Sequence, residues 1–225
     1  VTPTDFSAAI GFPEAIALRL SILAVTLFLS ERSDLARKIG FLGSAAASLF
    51  TGLLAIGVLL AGAPSKGDLF LHGASGLRLS YAIDGLSAWF LLVHAVLAVP
   101  IAIYSIGYAG HGHLRQRSVF LAAAFNLLLG AVELVFAAGD VITFLCAWEL
   151  MTLATAALVA TEHEERACRR AAYLYLVMSH VGTGCLIGGF LSMASMTGSL
   201  SFGTILAGES ALPVARSSLF ALFFL

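Results

Sequence analysis

Charge is scarce in this chain. Only 11% of its 225 residues are Asp, Glu, Lys or Arg, against ~25% in a typical soluble domain. The net charge is −1, so there is no basic face for a nucleic-acid partner. Cysteine is scarce as well. Cys146, Cys168 and Cys185 are the only three and form no CxxC pair, which argues against a disulfide framework, a zinc site or a cluster-binding motif. No GxGxxG, Walker A, HExxH or nucleophile elbow occurs, so the chain lacks a soluble-enzyme signature and offers NADH, a flavin or an iron–sulfur cluster no site of its own. His111 and His113 would need further partners to hold a metal and read as solvated loop histidines.

Apolar sequence is abundant. Hydrophobic residues make up 60% of the chain and the mean hydropathy is +0.98. Runs of ~20 apolar residues read as membrane helices. They predict an all-α polytopic membrane protein with six full spans, at about 10–29, 39–61, 85–107, 119–138, 141–160 and 171–196. A further apolar run at 217–225 stops after nine residues, too few to cross ~30 Å of hydrocarbon. With Val rather than Met at position 1, the expectation is an N-terminal piece of a longer protein. Between the second and third spans, residues 63–83 alternate apolar and polar positions around Gly73-Ala74-Ser75-Gly76. That pattern predicts a small β-hairpin at the membrane surface. Asp84 is a natural N-cap for the third span, and Pro100 should kink that helix.

Orientation follows from Lys and Arg. The odd-numbered loops hold eight of them and the even-numbered connections three. This predicts cytoplasmic odd loops, an outside N-terminus and an outer-face hairpin.

The fifth span, VITFLCAWELMTLATAALVA, carries a carboxyl at its centre, Glu149. An uncompensated charge there costs ~2.5–3.5 kcal/mol on insertion scales. Glu149 precedes the fifth loop by ~12 residues and His180 follows it by ~10, so at ~1.5 Å per residue both lie at one depth, near the midplane. A carboxyl and an imidazole at that level can exchange a proton, which makes them relay candidates. The alternative is a permanently neutral Glu149 bonded to a neighbouring helix, with His180 a hydrogen-bonding residue in an interface. Glu133, on the same face of span four as Asn126, lies nearer the outer side and is a second relay candidate or a hydrated interfacial carboxyl. Arg169 and Arg170, at the cytoplasmic entrance to span six, are auxiliary charges or simple determinants of topology. Arg19, inside span one, either snorkels, pairs with an acid on a neighbouring helix or marks a misplaced boundary.

The motifs DGLSAWF at 84–90, YSIGY at 104–108, FNLLL at 125–129, AWELMTL at 147–153 and YLYLVMSHVGT at 173–183 resemble, in order, the proton-translocating antiporter-like family. That family comprises the large membrane subunits of complex I, Mrp-type cation/proton antiporter subunits and the equivalent subunits of membrane-bound hydrogenases. The fifth- and sixth-span motifs look most like hydrogenase-4 component B and formate hydrogenlyase subunit 3. The resemblance implies a bundle of about fourteen helices in two inverted repeats, and a proton-carrying role for Glu149 with lysines further along. The first of these, in the seventh span, is expected just past Leu225. It also implies a bacterial inner-membrane location, companion membrane subunits and a cytoplasmic redox module whose subunits carry iron–sulfur clusters and NiFe or flavin, with no cofactor in this chain. A Mrp-type antiporter subunit and a purely structural membrane subunit are the rival readings.

Overall fold

The computed structural model describes residues 11–74 and 76–207, apart from the side chains of His113, Leu114 and Gln116. The chain folds as α1 (Phe12–Phe28), α2 (Ser33–Ala61), β1 (Ser65–His72), β2 (Leu77–Ile83), α3 (Gly85–Tyr108), α4 (Ser118–Ala137), α5 (Val141–Val159), α6 (Arg166–Thr197) and the short α7 (Phe202–Ala207). Short 3-10 segments precede α4 at Gly112–Arg117 and follow α5 at Ala160–Glu162. Among the described residues, five helices, α2 to α6, are long and apolar enough to cross a membrane. The first has 17 residues, about 25 Å at 1.5 Å per residue, short of a ~30 Å core. The expected run at 217–225 lies outside the described residues.

Two helices start earlier than hydropathy predicts. α2 begins at Ser33 rather than 39, and α6 at Arg166 rather than 171. Apolar runs mark only the stretch embedded in hydrocarbon, and a helix is free to continue into the headgroup region. Arg169 and Arg170 consequently stand on the first turns of α6, not in a loop. After α6 the chain forms the short α7, with Ile205 buried.

α2 is the hub, packed against α1, α3 and α4. Its small residues allow this. A Cβ placed on Gly40 would come within 2.8 Å of Ala122 Cβ on α4, and one on Gly52 within 2.8 Å of Ala95 Cβ on α3. Small residues at such crossings let helix backbones approach closely where the hydrophobic effect supplies no drive between spans. The facing surfaces answer in kind, with Ala88, Ala95, Ala98 and Ala102 buried on α3 and Ala122, Ala123, Ala124 and Ala131 on α4.

β1 and β2 form the antiparallel hairpin in the register Ser65↔Ile83 to His72↔Leu77, with an irregularity between Asp68 and Phe70. Asp84 caps α3, its Oδ1 accepting from the Ser87 N–H at 2.8 Å. That bond holds the Asp84 carboxyl below the usual carboxylate range. Asp140 is more heavily used. It caps α5 by accepting the Thr143 N–H at 2.8 Å, and its other oxygen accepts from Ser80 N (2.9 Å), Ser80 Oγ (2.6 Å) and Thr143 Oγ1 (2.8 Å). Beside it, Gly139 N donates to Ser80 O, Val141 N to Leu200 O and Phe202 N to Gly139 O. The hairpin, the α4–α5 turn and the α6–α7 connection therefore meet at one junction.

Candidate functional site

Glu149 lies eight residues into α5, and α5 and α6 are packed neighbours. The expected juxtaposition is present: His180 Nε2 stands 3.7 Å from Glu149 Oε2. His180 Nδ1 is 2.8 Å from the Leu176 carbonyl oxygen one turn back. A carbonyl can only accept, so this contact places a hydrogen on Nδ1 and leaves Nε2 of a neutral ring as a lone pair facing the carboxyl. The pair then has two equivalent descriptions, a protonated carboxyl facing a neutral imidazole or a carboxylate facing an imidazolium. Passing one proton converts one into the other. The gap exceeds a hydrogen bond by ~1 Å. The Glu149 side chain is 32% exposed and that of His180 56%.

Glu133 is not part of that pair. It sits on α4 at the centre of a second, largely buried cluster. Arg19 Nε donates to Glu133 Oε2 at 2.6 Å and Arg19 Nη2 to Oε1 at 2.5 Å. The side chains are 3% and 0% exposed. Arg19 Nη2 also donates to Ser48 Oγ at 2.8 Å and Nη1 to Asn126 Oδ1 at 3.2 Å, while Asn126 Nδ2 returns a bond to the Arg19 carbonyl at 2.9 Å. Of the three readings open for Arg19, pairing with an acid on another helix is the one realised, and the planar guanidinium fork suits it. His94 of α3, which the sequence reading did not single out, completes the cluster with Nε2 3.9 Å from Glu133 Oε1. A cavity of about 40 Å³ borders Arg19 and Asn126, with walls otherwise aliphatic and including Leu150. The residue following Glu149 thus reaches the edge of the second cluster.

Arg169 Nη1 donates to the His163 and Glu164 carbonyls at 2.6 and 2.8 Å. With Arg166, Arg170 and Tyr173 it lines an open cavity of about 750 Å³ at the start of α6. Neither Arg169 nor Arg170 forms an ion pair with Glu149 or Glu133 among the described residues. The three cysteines are free thiols. Among the described residues no group of three or more His, Cys, Asp or Glu comes together.

Two families match this chain. Residues 138–225 match the family described as NADH:quinone oxidoreductase/Mrp antiporter, transmembrane, and residues 71–117 the N-terminus of chain 5 of NADH-ubiquinone oxidoreductase (complex I). The chain belongs to the antiporter-like membrane subunits. NADH-quinone oxidoreductase subunit L of Mycobacterium tuberculosis is 30% identical over 208 residues, 87% of this chain and 32% of that protein. An uncharacterised protein of the same organism is 37% identical over 120 residues, 53% of this chain and 18% of that one. In fold, the antiporter-like chain matches a chain from the membrane-bound sulfane sulfur reductase, an archaeal respiratory membrane complex, with a TM-score of 0.74 over 95% of this chain and 33% of the other, at 24% identity. The antiporter-like chain thus spans about a third or less of the length of these relatives. Glu149 and His180 fall in the 138–225 match and His94 in the 71–117 match, whereas Arg19 and Glu133 fall in neither.

Proposed function

We propose that this chain is part of a proton-translocating membrane subunit in a respiratory assembly of hydrogenase or complex I type. Redox chemistry is done in partner subunits, whose cytoplasmic module carries iron–sulfur clusters and NiFe or flavin. Other membrane subunits and the lipid bilayer are its immediate neighbours. It lies in a bacterial inner membrane with its N-terminus outside, the orientation favoured by the loop charges.

The observation that carries this reading is the Glu149–His180 pair, a proton donor and acceptor 3.7 Å apart on adjacent spans. Glu149 is the main protonatable group, His180 its exchange partner and Glu133 a further relay position. Arg169 and Arg170 are auxiliary charges at the entrance of α6. Groups placed to exchange a proton in this way are general acids and bases without a covalent step.

The test is Glu149→Gln in the full-length protein within its complex. Proton movement per redox turnover should be abolished or strongly reduced while assembly and redox turnover with an uncoupler persist. Unchanged pumping would sink the assignment. The family description also names the Mrp antiporter, which supports a cation/proton exchange reading. In that case transport would need Na⁺ on the opposite side and would proceed without any redox substrate.

A further inference from the structure

We infer that His94 is the group that takes up and releases a proton at the Glu133 site. The inference rests on the relay reading above and adds a residue and a division of labour to it. Glu133 is clamped by both of its oxygens to Arg19, and an arginine keeps its charge under all ordinary conditions. The clamp fixes Glu133 as the carboxylate. The two charges cancel, and neither can change without breaking two short, buried hydrogen bonds.

The imidazole is the member of the cluster that is free to change charge. His94 Nε2 is buried and makes no hydrogen bond among the described residues. Leaving a buried nitrogen unpaired carries an uncompensated desolvation cost. A phenylalanine would pack as well against Phe136, whose ring centroid lies 6.4 Å away in an edge-on arrangement. The position of Nε2 gives the nitrogen a use. It is 3.9 Å from Glu133 Oε1, the distance at which an added proton turns an idle approach into an ion pair with a carboxylate already in place. With His94 neutral the cluster carries no net charge; with His94 protonated it carries one positive charge.

The charged groups that bear on His94 are Glu133 from α4 and Arg19 from α1. The buried polar side chains of α2 in its apolar stretch are the hydroxyls of Ser44, Ser48 and Thr51. The site also lies at a useful depth. Glu133 is four residues from the end of α4 and Glu149 eight from the start of α5. The two helices meet at the Asp140 junction, so Glu133 is ~6 Å nearer that end of the bundle. A proton leaving the Glu149–His180 pair toward the outer face would meet this cluster next.

The experiment uses the full-length protein in its complex in membrane vesicles, with His94→Phe, His94→Gln and Glu149→Gln compared. Both His94 variants should assemble, keep uncoupled redox turnover and lose pumping roughly tenfold or more, as expected for removal of a positioned acid–base group. Infrared difference spectra of histidine-ring-labelled protein should contain an imidazole whose protonation changes during turnover and that is missing from both His94 variants. Full pumping by either His94 variant, or a wild-type His94 ring that stays in one protonation state throughout turnover, overturns the inference. Normal pumping by Glu149→Gln defeats the relay reading itself, whereas loss there with normal pumping in the His94 variants defeats only the role given to His94.

Discussion

The buried Arg19–Glu133 pair makes an unequal prediction about its two partners. Replacing Glu133 by Gln keeps the size of the side chain but leaves Arg19 as a cation that is 3% exposed. Ser48 and Asn126 still accept from it, but both are neutral. Removing one partner of a buried ion pair typically costs ~3–5 kcal/mol, or roughly two to three and a half powers of ten in an equilibrium constant. Arg19→Met should cost less, because an orphaned Glu133 can become neutral by taking up a proton and an orphaned arginine cannot lose one. The double variant Arg19→Met/Glu133→Leu removes both charges and fills the space with apolar atoms. Such replacements are often neutral or stabilising, so it should lie within ~1 kcal/mol of the wild type and well above Glu133→Gln. The assay is denaturant-induced unfolding of the full-length protein in mixed micelles, with the single change Glu133→Leu added so that it, Arg19→Met and the double variant close a double-mutant cycle. Additive losses, with the double variant as unstable as the two single changes combined, would refute the reasoning, since they would mean that the two charges do not hold each other in place.

Other consequences are more local. Asp140→Ala removes an N-cap and three further accepted hydrogen bonds; a loss of ~2–4 kcal/mol, with faster amide exchange at Ser80 and along β2, is expected by hydrogen-exchange mass spectrometry. Gly52→Val drives atoms into Ala95 on α3 and should destabilise by ~1–3 kcal/mol, whereas Gly57→Ala, inside α2 and with no atom within 4 Å of the added Cβ, should be stabilising by up to ~1 kcal/mol in the same unfolding assay. Asp84→Ala should cost ~1 kcal/mol at neutral pH. Because the Ser87 N–H holds the folded-state Asp84 carboxyl below its usual range, the wild-type advantage is complete above about pH 4 and fades as pH falls through the lower, folded-state value; an Asp84→Ala deficit that persisted unchanged at low pH would rule out the carboxylate as its source.

Much of this architecture was legible in the sequence because membrane helices advertise themselves through composition. The apolar runs located the five span-length helices to within about six residues, the alternation around Gly73–Gly76 located the hairpin, and Asp84 marked the start of α3. Counting residues from the shared loop put Glu149 and His180 at one depth, and the structure places them side by side. The second cluster escaped because its contacts join residues 107 and 114 positions apart, and periodicity says nothing about which faces meet. The same depth count would nevertheless have paired two of its members. Arg19 is seven residues from the start of α1 and Glu133 four from the end of α4, both at the hairpin side. His94, a single histidine in the strongly apolar run FLLVHAVLAVP, gave no comparable cue. Its significance comes only from the charge that α4 brings to it. Asp140 was hidden for a different reason: a short turn between two spans looks like mere punctuation until the hairpin folds back onto it.

That folded-back turn constrains how the Glu149–His180 gap can change. The hydrogen bonds around Gly139 and Asp140 tie the start of α5 and the connection after α6 to each other and to the hairpin, while the 160–165 turn, held by Arg117 and Arg169, joins the two helices at their other ends. Glu149 sits eight residues from the start of α5, about 12 Å along the axis. Closing the 3.7 Å separation to a hydrogen bond requires ~1 Å of travel at that radius, a swing of about 5°. A small angular movement of α5 against α6 about the Asp140 junction is therefore enough to bring the Glu149 and His180 side chains to hydrogen-bonding distance or to part them.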